Sequence, residues 1–169
     1  MLQRIQTIYL LLAFTCLVLL LMFPIFSVEV VNNDTGLNSI ASGSAEFGVY
    51  GVRGDGIPDG SFPLYLIVIA TALLVAAGIM FYKKRPRQLL ICRLGLIVHF
   101  LFTAGVYAFY YAGKNIMTAG LTDNTEAVQT TFSMEAGFYI LIPPLAFIWL
   151  AIRGIKRDEN LVKSLDRLR

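Results

Sequence analysis

This chain predicts an all-α membrane protein: four transmembrane helices in a bundle, both termini cytoplasmic, and a short amphipathic C-terminal helix. Three observations predict it. First, 57% of the 169 residues are hydrophobic and the mean hydropathy is +0.69, well above the 45–50% apolar content typical of soluble domains. Second, the sequence holds long runs free of Asp, Glu, Lys and Arg at residues 5–28, 60–82, 94–113 and 136–152. A run of ~20 apolar residues crosses a ~30 Å hydrocarbon core. Third, the charges are sorted by side. Of the 14 Lys and Arg, only Arg53 and Lys114 fall in the two segments that would face outward. Cytoplasmic segments collect Lys and Arg.

The whole chain, 1–169, reads as one domain. Helices are expected at about 5–28, 62–83, 89–113 and 134–154, outer loops at about 29–61 and 114–133, and a cytoplasmic tail at 155–169. Each run is continuously apolar, so strand alternation of the outer-membrane barrel kind is absent. A helix satisfies its own backbone in hydrocarbon. The first run is longer than a signal-peptide core, and no small-x-small site follows it, so it is kept as a helix. Pro24 marks its exit. The basic stretch KKRPRQ (83–88) reads as a stop-transfer and topology signal beside anionic headgroups, not as a nucleic-acid patch.

The first outer loop is rich in Gly, Asn and Ser. Within it, Phe47, Val49 and Val52 suit a short strand or hairpin on the membrane surface. The stretch VRGDGIPDG (52–60) resembles both an adhesion tripeptide and part of a calcium loop. A calcium loop needs several oxygen ligands at alternate positions, and Asp55 and Asp59 are too few. Pro58 with Gly54, Gly56 and Gly60 suits tight turns instead. Asn33-Asp34-Thr35 matches a glycosylation acceptor, a pattern common by chance. The second loop is Thr-rich, and a short interfacial helix is expected near 126–132.

Inside the spans, ionisable residues are costly and mark function by default. His99, the one histidine, is the candidate intramembrane polar site. Its functional readings are a proton relay, a quinone contact or a haem ligand; the structural one is a bond to a neighbouring helix. One histidine cannot build a bis-histidine haem. Cys16 and Cys92 form no CxxC pair, and no zinc-type cluster is spelled out. Pro143-Pro144 should interrupt the fourth helix, either as a packed kink or as a broken helix of the transporter kind. Tyr107, Phe109, Tyr110 and Tyr111 read as an aromatic belt. The tail carries Leu161, Leu165 and Leu168 at helical spacing, with Glu159 four residues before Lys163. It should lie on the inner leaflet or on a cytosolic partner.

The opening MLQRIQTIYLLLA (1–13), the closing KRDENLVKSLDRLR (156–169) and ICRLG (91–95) resemble the signature segments of domain-of-unknown-function family 4293, small four-helix inner-membrane proteins of Bacteroidota. The resemblance spans essentially the whole chain. It implies a multi-pass location in the bacterial inner (cytoplasmic) membrane, N-in and C-in. It implies no known activity and no catalytic residue. Gln3, Arg4, Gln6, Arg93, Asp158, Glu159, Asp166 and Arg167 match the family's polar positions. An inner-face cluster of Arg4, Arg93, Asp158, Glu159, Asp166 and Arg167 is therefore expected, with Arg4 and Arg93 paired to tail acids. Claudin-like and tetraspanin-like proteins share the topology, but their loop cysteines are missing here.

The expected function is a non-catalytic accessory, assembly or scaffold subunit, not an enzyme, with no cofactor and no metal. Its expected company is the lipid bilayer, with a membrane-protein partner or a second copy of the chain, and no nucleic acid. The alternative is a small oligomeric transporter or channel using His99 and the Pro143-Pro144 kink.

Overall fold

The computed structural model describes residues 2–32, 43–54, 63–121 and 128–166, with side chains described at 5–29, 44–54, 63–82, 84–112 and 131–161. Along the chain run α1 (Leu2–Leu20), β1 (Phe26–Asn32), β2 (Gly43–Gly48), β3 (Gly51–Gly54), α2 (Leu64–Met80), a 3-10 turn (Phe81–Lys83), α3 (Arg85–Leu121), β4 (Val128–Met134), α4 (Ala136–Ile140) and α5 (Ile142–Asp166). Four of the helices are long, as expected. The all-α class needs correction, because a four-stranded antiparallel sheet of order β3-β2-β1-β4 sits at one end.

The long helices pack α1 on α2, α2 on α3, α3 on α5 and α5 back on α1. The buried positions explain why. Gln6, Leu10, Ala13, Leu17 and Leu20 are buried on α1; Val68, Thr71, Val75 and Gly78 on α2. On α3 the stripe runs through Cys92, Gly95, His99, Phe102, Val106 and Tyr110, and on α5 through Pro144, Ile148, Ala151, Ile155 and Asp158. Each series advances by steps of three or four residues, the seam that lets near-parallel helices interdigitate. The opposite faces are also apolar. Leu11, Leu66, Leu73, Leu94, Leu101 and Trp149 are all exposed. Two helical stretches, Arg85–Ala112 and Ala136–Leu161, are long and apolar enough to cross a membrane.

α1 ends at Leu20 and not near residue 28, because the apolar run hides two elements. After a turn through Pro24, FSVEVVN forms β1. Val and Phe at alternate positions favour a strand, and hydropathy alone does not separate it from the helix. The second loop holds a strand where a short helix was expected. β4 (VQTTFSM) is rich in β-branched Val and Thr and pairs antiparallel along all of β1, from Phe26↔Met134 to Asn32↔Val128. The expected hairpin is present as β2 and β3, with Phe47 opposite Val52. Gly51 takes a φ of 124° at its turn, a conformation that favours glycine.

The inner face of the sheet is aromatic. Phe26 stacks on Phe47 at 4.4 Å, Phe47 on Phe109 at 5.1 Å, and Phe26 meets Tyr110 edge-on at 5.9 Å. Tyr110 is thus buried beneath the sheet, while Phe109 touches Phe47 and, like Tyr107 and Tyr111, stays about half exposed.

α3 is 37 residues long, about 55 Å of helix at 1.5 Å per residue, and reaches beyond its expected 89–113. The last helix is also revised. The break falls at Leu141, between α4 and α5, and Pro143 and Pro144 occupy the first turn of α5. Proline is tolerated there because those N–H groups need no partner inside the helix. The tail is no separate helix: α5 runs unbroken through Gly154 to Asp166. Asn33-Asp34-Thr35 and residues 55–60 of VRGDGIPDG lie outside the described residues; Arg53 and Gly54 end β3.

Candidate functional site

The end of the molecule away from the sheet gathers the start of α1, the turn between α2 and α3, and the last turns of α5. Its central contact joins two side chains 152 positions apart. Gln6 Nε2 donates to Asp158 Oδ2 at 2.6 Å. Both are buried, at 6% and 8% exposure. Gln6 lies one helical turn before Leu10 on the α1 stripe. Asp158 lies one turn after Ile155 on the α5 stripe. The seam therefore carries both polar groups inward at the same level. Gly154 makes room for them: a Cβ there would stand 3.0 Å from Gln6 Cγ. Asp158 Oδ1 is buried with no hydrogen-bond partner.

The other expected members of the inner-face cluster are placed as follows. Arg93 is exposed on α3, and no ion pair joins it to a tail acid among the described residues. Glu159 is half-buried and has a partner of its own. Arg4 and Asp166 belong to α1 and α5, but their side chains lie outside the described residues, as does Arg167. Nearby, Gln88 is buried and donates from Nε2 to the Gly78 carbonyl at 2.9 Å, tying α3 to the end of α2. Gln88 was not singled out in the sequence. Its signal was the one Gln at the start of the α3 stripe, four positions before Cys92.

His99 has no exposed surface. Its Nε2 lies 3.0 Å from the Leu141 carbonyl oxygen. A carbonyl only accepts, so this contact assigns the proton to Nε2 and leaves Nδ1 a bare acceptor, with no partner. Pro143 and Pro144 lack the N–H groups that the Tyr139 and Ile140 carbonyls would meet four residues on. The backbone opens at this point, and the His99 ring bonds the next carbonyl. His99 thus bonds two residues before the Pro143-Pro144 pair.

Three threonines of the helices bond to backbone of their own turn. Thr15, Thr71 and Thr103 each donate to the carbonyl four residues back, at 2.8–3.0 Å. Cys16 and Cys92 are free thiols, half-buried and buried. Among the described residues, no three His, Cys, Asp or Glu come close enough to hold a metal ion. Beneath the sheet, an apolar cleft of about 510 Å³ opens between α2 and α3, lined by Phe47, Leu64, Ile67, Leu101, Phe102 and Gly105 among others. Gly105 leaves the space, since nothing lies within 4 Å of a Cβ built there. Such a cleft accepts only apolar groups.

No protein of curated function matches the chain. One family model does, along residues 2–168, nearly the full length. The chain belongs to the family described as Domain of unknown function (DUF4293).

Proposed function

We propose that the chain is a multi-pass protein of a bacterial inner membrane, N-in and C-in, and that it works as a non-catalytic accessory, assembly or scaffold subunit. The observation that carries this is how polarity is distributed along the helices. Their middle sections are apolar on buried and exposed faces alike. A helix that is hydrophobic all round belongs in a large core or a membrane. The polar sheet lies at one end, and Lys84, Arg87, Arg93, Arg153, Lys156 and Arg157 are exposed at the other. That sorting matches the positive-inside rule with the sheet outside. The non-catalytic part leans on the polar atoms between the two ends. Gln88, His99, Thr15, Thr71 and Thr103 are committed to backbone carbonyls, and no acid is paired with a base there among the described residues.

The test is recovery of the tagged protein from native membranes in mild detergent, with mass spectrometry and native mass. A stoichiometric membrane-protein partner supports the reading. A clean homo-oligomer with no partner overturns it in favour of a small transporter or channel. That second reading is favoured by one observation: His99 sits at the helix break with Nδ1 unbonded. Flux in liposomes would then fall on mutating His99 or the Pro143-Pro144 pair.

A further inference from the structure

We propose that the groove between α1 and α5, at the end away from the sheet, holds one anionic phospholipid. This rests on the membrane reading above and adds a specific ligand site to it. Three observations carry it. The first is a cluster of cations. Arg153, Lys156 and Arg157 are exposed and line one concavity of about 670 Å³ with Asn160 and Leu161. None of the three has an ion-pair partner among the described residues. The nearest acid in sequence, Asp158, does not neutralise them, because its side chain is turned inward onto Gln6.

The second observation is an adjoining, mostly apolar slot. Arg153 and Arg157 also line a smaller cavity of about 170 Å³ with Ile5, Tyr9, Leu150, Gly154 and Gln6, whose amide nitrogen is engaged by Asp158. A phosphate on the cations therefore leaves the start of an acyl chain facing a mostly apolar channel between two helices. A free phosphate would use only the first of these two spaces.

The third observation is how Arg153 is held. Its guanidinium lies 5.6 Å from the Trp149 ring centroid. A cation over an aromatic face is attracted to it. Trp149, Arg153 and Arg157 follow at four-residue steps, so they form one ladder up α5. An exposed Trp one turn below two Arg is the arrangement that anchors a helix at the headgroup level. Guanidinium groups bind phosphate with two parallel N–H donors. The site thus matches both halves of a phospholipid, the anionic head and the chain.

Trp149 is the one tryptophan of the chain, so it reports on the site without any mutation. The full-length protein is reconstituted in phosphatidylcholine vesicles containing a minority of either brominated phosphatidylglycerol or brominated phosphatidylcholine. Bromine on the acyl chain quenches tryptophan on contact. Stronger quenching by the glycerol lipid at equal mole fraction is the expected result. Equal quenching by both overturns the site and leaves the membrane reading standing. Quenching by neither overturns both. Displacement of the glycerol lipid by millimolar inorganic phosphate also overturns the proposal, because it makes the cations a free-phosphate site.

A pair of variants adds the magnitude. Arg153→Gln with Arg157→Gln should weaken phosphatidylglycerol binding to delipidated protein roughly 25-fold, since each cation near an anionic surface is worth ~1 kcal/mol. Lys84→Gln with Arg87→Gln removes the same charge at the α2–α3 turn and should leave binding within about twofold if the groove is the site. Equal weakening by the two pairs overturns the proposal.

Discussion

The bond between Gln6 and Asp158 predicts a strongly non-additive pair of substitutions. Gln6→Leu removes the one donor to the carboxylate. Asp158 then stays buried with neither oxygen bonded, because Oδ1 already has no partner. Hydrogen bonds to charged groups contribute about 1.5–3 kcal/mol, and stranding a buried charge costs more than the bond alone. A loss of about 2–4 kcal/mol is expected. Asp158→Leu strands the Gln6 amide instead and should cost about 1–3 kcal/mol. The double variant removes both polar groups from positions that continue apolar stripes on α1 and α5. It should lie within about 1 kcal/mol of the natural protein, because two apolar partners leave nothing unsatisfied. Asp158→Asn can still accept from Gln6 and should cost less than Asp158→Leu. The assay is unfolding in mixed micelles against the mole fraction of denaturing detergent, followed by Trp149 fluorescence. A double variant that loses the sum of the two single losses would refute the reasoning, and so would a harmless Gln6→Leu.

Further outcomes are expected elsewhere. Gly137→Ala should cost about 2–4 kcal/mol in the same assay, since its Cβ would collide with the Pro24 carbonyl and stand 2.9 Å from Phe23 O, and the Gly137 N–H bond to Pro24 would stretch. Gly105→Ala meets only open space and should be neutral or stabilising by up to about 1 kcal/mol through helix propensity. His99→Ala should cost about 2–4 kcal/mol by leaving a void and freeing the Leu141 carbonyl, while His99→Gln keeps a donor and should recover part of that loss. Single cysteines replacing Ser44 on the sheet and Lys84 at the α2–α3 turn, in a background without Cys16 and Cys92, should react with an impermeant maleimide from opposite sides of the membrane; labelling from one side refutes the proposed topology.

The centres of the long helices were legible because an apolar run of that length has few other uses. Their ends were not. At residues 26–28 the run continues unchanged in hydropathy from helix to strand, and what changes is the period. FSVEVVN becomes a strand because β2 and β4 pair with it and Phe26 packs on Phe47, so the strand is decided by partners far away in sequence. β4 failed for a related reason. Its Thr and Val favour a strand only weakly until β1 is there to pair with. The hairpin at 47–52 could be read locally, because its glycines and alternating apolar residues are all within one turn. At the polar end, charge alone suggested that Arg93 would meet a tail acid. The structure gives Asp158 an amide partner instead. The information was in the spacing: stepping four back from Leu10 reaches Gln6, and stepping three on from Ile155 reaches Asp158, whereas Arg93 falls one position off the stripe through Cys92.

The first long helix and the segment after it are fastened at both ends to the last long helix and the segment before it, which constrains where a partner could sit. Gln6–Asp158 ties α1 to α5 at the cationic end. At the sheet end, Ser27 Oγ donates to Glu135 Oε1 at 2.8 Å, and Gly137 and Glu135 donate their N–H groups to the carbonyls of Pro24 and Ile25. These contacts join segments more than 100 positions apart, with separations of 152 and 108 for the two side-chain pairs. They hold the chain around α1 to the chain around α5 in the folded protein. A subunit that had to open the α1–α5 seam to bind would break the buried Gln6–Asp158 hydrogen bond and a strand register together, at a cost of several kcal/mol. On the α2–α3 side Gln88 ties the two helices at the cationic end, whereas the residues lining the cleft beneath the sheet are apolar and Gly105 leaves open space there. Under the membrane reading, an accessory helix or an acyl chain meets least resistance there. Gly105→Phe would fill that cleft without touching the α1–α5 seam. It should therefore lower recovery of a stoichiometric partner while leaving micelle unfolding within about 1 kcal/mol of the natural protein. Undiminished recovery would place the partner on another face.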